Sequence, residues 1–340
     1  MFLRRFSTQI IKDVNPFSKI KIDSRISYKI KPFDLFECQD SNKLRASFDD
    51  PNKTENVDKF LKINVKNEHV EIHDTDAASP ANLNCILEVP VKSDLTIKTK
   101  NDVTLSDLYS DLLDIEAKNI HVKNLHGTEV KLTSKNGQIT SEGLLLGKQI
   151  RLFLENSNLS LDRIQGEKLI IKQLNGNVKI SSCYSTFSQF DCTNSDLNLK
   201  NMHKLCHINA HGKGNLTMHG FSGTLIADLE DYLLNLQFSE LLQRSKITCK
   251  SERPSVINLA SQILENCYVK MRAIKMSLDE ELTKLNLSTN GEHIRINDRT
   301  FANHLRIYHA NEVKLGKLSW EDAFNFNGIE NKFKLKSKGQ

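Results

Sequence analysis

Long apolar runs are missing from these 340 residues. The longest, such as Leu144-Leu145-Leu146, falls far short of the roughly 20 residues a helix needs to cross a bilayer. No transmembrane segment is therefore expected. Proline and glycine are scarce, at 6 and 14 residues, which excludes collagen-like and linker-like chains. Aromatic residues make up only 7%. A nucleic-acid binder concentrates basic residues in a stripe with aromatics to stack on bases. Here 47 Lys plus Arg face 42 Asp plus Glu, a mild net charge of +5, and the signs alternate along the chain. No nucleic-acid partner is expected.

Cysteine pairs are also lacking. Cys38, Cys85, Cys183, Cys192, Cys206, Cys249 and Cys267 are odd in number and irregularly spaced, without a C-x-x-C. That pattern argues against a disulfide framework and against a zinc ribbon. Scattered cysteines of this kind act as small buried hydrophobes in a reducing compartment.

What is present begins with an address. Residues 1–12 read MFLRRFSTQIIK, with Arg4, Arg5 and Lys12 and no acid before Asp13. Phe2, Leu3, Phe6, Ile10 and Ile11 interleave with basic and hydroxyl residues. An acid-poor, Arg-bearing amphipathic start is the description of a mitochondrial transit peptide, and Arg4-Arg5-Phe6-Ser7 resembles a presequence processing site. The expected localisation is mitochondrial.

The strongest signal is an internal repeat. Asn136, Asn156, Asn175 and Asn194 recur at intervals of 20, 19 and 19 residues, each followed by Gly or Ser. Four positions before them stand Leu132, Leu152, Ile171 and Phe190; three after stand Ile139, Leu159, Val178 and Leu197. Eight after stand Leu144, Ile164, Cys183 and Met202. Apolar residues at every second position, as in Val178-x-Ile180, mean strands with one buried face. Asparagine and glycine adopt positive φ at low cost and turn the chain between strands. A strand, a turn, a strand and a second turn form one coil of a parallel β-solenoid, and stacked asparagines can bond along the column. Antiparallel hairpins would explain the turns but not columns that recur every nineteen residues. Worn copies are expected around Asn290-Gly291, between Leu285 and Ile294, and around Asn311, between Ile307 and Leu315.

The fold class expected is therefore all-β: a parallel β-solenoid, or β-helix, of about 19-residue coils, capped by a small N-terminal β region. The organisation expected is a transit peptide over 1–12, an N-terminal β cap over 13–90, the solenoid over 91–318, and a C-terminal cap with a basic tail over 319–340. Five of the six prolines fall in 13–90, between short strand-like runs. Phe238 to Leu242 lacks turn signals and reads as a short helical insertion.

Leu87-Glu88-Val89-Pro90, then Leu95-Thr96-Ile97-Lys98-Thr99, then Val130 to Ile139 with its Asn136-Gly137, resemble the "putative adhesin" β-solenoid family. The resemblance covers about residues 60–230 and is similar to an animal branch of that family, with a mitochondrial address. Two of the four clear repeats have Ser157 or Ser195 where the family has glycine. The resemblance implies a parallel β-solenoid without catalytic residues.

Chemistry is sparse. His203, Cys206, His207, His211 and His219 crowd together, but i, i+4 histidines share a face on a helix and this is strand territory. On a strand Cys206, Ile208 and Ala210 face one way, and His207 and Asn209 the other. His69 and His73 have no nearby partner ligand. No nucleophile elbow, phosphate loop or dinucleotide fingerprint occurs. Polysaccharide-cleaving β-helices need clustered acids, whereas Asp102, Glu116, Glu129, Glu142 and Glu155 share no repeat column. No catalytic residue, cofactor-binding residue, metal site or cofactor is expected. The reading is a non-catalytic scaffold or binding protein with a protein partner. The alternative is a carbohydrate-active β-helix enzyme or a carbohydrate-binding adhesion-type protein. The sequence leaves the solenoid's handedness and the oligomeric state open.

Overall fold

Alternating Ile, Val and Leu turn one side of an extended chain inward, and only a second extended segment can satisfy its backbone groups. A computed structural model shows how this is met. It describes residues 9–34, 36, 41–48, 57–75, 83–285, 287–290 and 293–318. Residues 1–8 of the expected transit peptide, the expected C-terminal cap over 319–340, and Cys38 lie outside the described residues. The chain is all-β and divides into two compact units, Met1–Ile180 and Ser181–Gln340. Each is a stack of parallel coils.

In the first unit Asp94–Thr99 pairs in parallel with Tyr109–Glu116, which pairs with Asn119–Ser134, which pairs with Gln138–Glu155. The apolar columns stack as the repeat requires: Leu132 lies against Leu152, Leu152 against Ile171, and Ile139 against Leu159. All five are 0–1% exposed. One column needs correction. Leu145, not Leu144, is the inward residue beside Ile164. The coil from Asn136 to Asn156 carries one extra residue, absorbed by a bulge between Thr140 and Leu144 where Gly143 has φ +73°.

The asparagine column exists. Asn156 Nδ2 donates to Asn136 Oδ1 at 3.4 Å, and Asn175 Nδ2 to Asn156 Oδ1 at 2.9 Å. Asn175 and Asn194 are left-handed, with φ of 59° and 47°, but Asn136 and Asn156 are not. Serine takes over at the corners that lack glycine. Ser157 Oγ accepts from Gly137 N at 3.0 Å, and Ser195 Oγ donates to the Thr193 carbonyl at 2.8 Å.

In the second unit Phe190 lies against Ile208 and Leu197 against Leu216. Phe238 to Leu241 is strand, not helix: Leu236 and Phe238 pair with Ile257 and Leu259 and are fully buried. A pattern without turn residues simply continues the strand. The helix is instead Ser261–Asn266, which buries Ile263 and Leu264. Leu287–Asn290 and His293–Ile296 pair antiparallel, so the worn copy at Asn290 is a hairpin rather than a coil.

Stacking does not follow chain order at the ends. In the first unit Lys19–Ser24 and Ser27–Pro32 form a coil that pairs inward with Asp94–Thr99 and Asp102–Ser106. Outward it pairs with His69–Asp74 and Asn84–Val89. Antiparallel strands Leu61–Lys66 and Lys43–Phe48 then cover that outer coil. The second unit repeats the device. Asn303–His309 and Glu312–Lys317 slot between Arg244–Leu259 and Cys267–Leu278. His293–Ile296 closes on Cys267–Arg272 antiparallel. An antiparallel cover breaks the register that would let another copy extend a parallel stack.

At the N-terminal cover Glu88 is 6% exposed between Lys31 and Arg45 on the two flanking strands. Lys31 Nζ stands 3.0 Å away and the Arg45 guanidinium bonds the other oxygen. Burial alone would raise the carboxyl, but the Arg45 and Lys31 hydrogen bonds outweigh it and hold Glu88 below its ordinary value. A depressed folded value means the stabilisation is present above the unfolded carboxyl value of about 4.3 and is lost as pH falls through the folded value. Glu88→Gln is expected to lower the melting temperature at neutral pH and to flatten the acid limb below about pH 4. Melting curves of both proteins across that range check this; parallel acid limbs would contradict it.

Candidate functional site

The outer faces are built from polar columns. A residue on one coil sits about 4.8 Å from its counterpart on the next, so donor and acceptor can bond along the axis. In the first unit Asp102 accepts from Asn119 at 2.7 Å, Asp111 from Thr128 at 3.1 Å, and Asp114 from Lys131 at 3.0 Å. In the second, Asp191 accepts from Asn209 at 3.0 Å, Asp196 from Asn215 at 2.9 Å, and Glu230 from Gly212 N at 2.7 Å. The partners lie 17 to 19 residues apart, one coil each. Carboxylates held this way tie neighbouring coils together.

Arg253 does the same from a loop. Its Nη2 donates to the carbonyls of Asp231, at 2.6 Å, and Gly214, at 2.5 Å, so one guanidinium ties three coils.

The acids singled out from the sequence do not converge. Glu116 pairs with Lys135 at 3.1 Å and Glu142 with Lys123 at 3.4 Å. Asp102 serves Asn119, while Glu129 and Glu155 are exposed. The histidines are placed differently from the helix argument. His207 and His211 share the outer side of one strand, about 13 Å apart, while the chain turns between them and His203 at Lys204, where φ is 66°. Cys206, Ile208 and Ala210 are fully buried on the other side. His203 stacks on Tyr184 at 4.5 Å, and His207 meets Phe187 edge-on at 5.1 Å. Burial pushes His203 below its ordinary value, against the raising charge of Glu240. His69 is exposed, and His73 lies 3.8 Å from Glu71. Among the described residues no three metal-type ligands come together. Cys85, Cys183, Cys192, Cys206, Cys249 and Cys267 are buried and form no disulfide.

A groove of about 720 Å³ opens along one corner of the first unit. The turn at Ser24 and Arg25 is fixed by Asp74, which accepts from Ser24 Oγ at 2.5 Å, Arg25 N at 2.8 Å and Arg25 Nε at 3.1 Å. Thr99 Oγ1 donates to the Ile26 carbonyl at 3.0 Å and ties the next coil on. Around these lie Lys98, Lys100, Lys118 and Lys135. Their repeat spacing was visible in the sequence, as lysines at 100, 118 and 135. Only the stacking of the coils brings these lysines to one corner.

Comparisons with protein families and with curated proteins give no match. Among solved structures, the chain is similar to a "putative adhesin" from Parabacteroides merdae ATCC 43184, at 10% identity and a TM-score of 0.36, covering 92% of this chain and 95% of that one. It is also similar to a "putative cell adhesion protein" from Clostridium sporogenes ATCC 15579, at 10% identity and a TM-score of 0.21, covering 91% and 97%. No helix among the described residues is long and apolar enough to cross a membrane.

Proposed function

We propose that this chain is a non-catalytic scaffold or binding protein of mitochondria, docking a protein partner on its flat outer faces. The animal, mitochondrial branch of the adhesin-like solenoids is part of the same proposal. One observation carries the reading: outward carboxylates such as Asp102, Asp111, Asp191 and Asp196 are engaged by the neighbouring coil. A repeat surface of bonded polar rows suits docking. Two measurements test it. Residues 1–12 are expected to carry a fluorescent reporter into mitochondria, and a diffuse cytosolic reporter would sink the address. Proximity labelling from the full chain is expected to mark a discrete set of proteins. Cleavage of a polysaccharide by the purified chain, abolished by Asp102→Asn or Glu116→Gln, would replace the scaffold with a carbohydrate-active enzyme.

A further inference from the structure

The groove corner carries a column of like charges. Ser24 pairs with Thr99, so Arg25 falls beside Lys100. Glu116 pairs with Lys98 and with Thr133, and Asn119 with Asp102 and with Gln138, so the corner that carries Lys118 is stacked between the corners that carry Lys100 and Lys135. Arg25, Lys100, Lys118 and Lys135 are exposed and line one groove on four stacked coils. Strand spacing sets successive coils about 4.8 Å apart, so the four corners span about 14 Å along the stack.

Such a column repels itself. At Asp111–Thr128 and Asp114–Lys131 in this unit a charge is met by a donor or an opposite charge on the next coil. Here only the two ends are answered, Arg25 by Asp74 and Lys135 by Glu116. Among the described residues no carboxylate stands within ion-pair distance of Lys100 or Lys118. The column is also finite. Asp74 closes it beyond Arg25, and Glu155 takes the next position after Lys135, because Ser134 pairs with Leu154.

We propose that this corner binds a short linear polyanion, with successive phosphates or uronate carboxylates lying along Lys100 and Lys118 between Arg25 and Lys135. One cation on each of four stacked coils selects an anion with charges in a row rather than a single point charge. The closing acids select a short one. The groove's size matches the usual range of small-molecule sites, about 300–1,000 Å³. Lysine ammonium groups serve as point donors to either oxyanion, so both sources share one chemistry. The proposal is independent of whether a protein docks on the flat faces.

Calorimetric titration of the full chain with tripolyphosphate and, separately, with trigalacturonate tests it. One-to-one binding of at least one probe is expected, weakening severalfold between about 0.05 M and 0.3 M NaCl. Preference between the probes identifies the source. The double variant Lys100→Gln, Lys118→Gln is expected to bind about tenfold more weakly or worse, with an unchanged circular-dichroism spectrum, because both side chains are exposed. Lys179→Gln, outside the groove, is expected to bind like the wild type. Binding of neither probe would overturn the proposal, as would a double variant that binds as tightly as the wild type. An equal loss in Lys179→Gln would also overturn it, reducing the effect to bulk charge.

Discussion

Val178→Asp is expected to destabilise the chain by several kcal/mol, while Lys179→Asp, one residue on, changes stability by no more than about 0.5 kcal/mol. Val178 is 1% exposed and Lys179 is exposed. Asn177 N donates to Asn158 Oδ1 at 3.0 Å, which fixes the register and sets Val178 over Leu159. A carboxylate there meets apolar side chains and no cation. It either remains charged in a dry core or takes up a proton, and both outcomes are unfavourable. Coils bury their faces only against neighbours, so protection of the adjacent coils should fall as well. Denaturant midpoints of the two variants, with amide exchange across residues 130–180, are the measurements. Equal losses from both would mean that the inward column had been misassigned.

Gly166→Ala should cost about 2–4 kcal/mol, far more than Gly147→Ala on the neighbouring coil. Gly127, Gly147 and Gly166 stack in register at one corner. A Cβ on Gly166 would stand 1.9 Å from the Gly147 carbonyl oxygen, which is backbone held in the parallel ladder. The coils must part to admit it, breaking the pairing from Leu146–Gln165 to Gln149–Lys168. A Cβ on Gly147 meets first the Ile150 side chain, at 2.8 Å, a buried group that must shift, and the Gly127 carbonyl only at 3.2 Å. Thermal melts of the two alanine variants separate the cases. Equal shifts would show that the corner backbone yields freely.

Both expectations rest on a division of labour among the columns. Apolar columns exclude water and supply most of the stabilisation. Polar columns set the register, since each bonds only when the coils are aligned. Glycine columns let corner backbones approach. The second and third depend on backbone position to within an ångström, and this is why Leu144 could be mistaken for the inward residue when Leu145 was. A one-residue bulge leaves the count of leucines unchanged and reverses which of them faces the core.

The sequence by itself determined that this chain is a parallel β-solenoid. Period-two burial makes strands, and the recurrence of Asn136, Asn156, Asn175 and Asn194 makes coils. Both are local patterns repeated at a fixed interval, so they survive in one dimension. Burial of the six described cysteines and the separation of Cys206 from His207 follow from the same alternation. Tertiary structure alone decided what closes the stack. Lys19–Pro32 pairs with strands far along the chain, and Asn303–Lys317 inserts ahead of segments that precede it in sequence. Nothing in either segment's own pattern distinguishes an inner coil from an outer one, because both bury the same alternating face. The choice is made by which edges remain unpaired once the central coils have formed, and antiparallel strands such as Leu61–Lys66 and His293–Ile296 then cover what is left. The cationic corner belongs to the same category. Each lysine is an ordinary exposed residue on its own coil, and only the register between coils brings Arg25 into line with Lys100, Lys118 and Lys135.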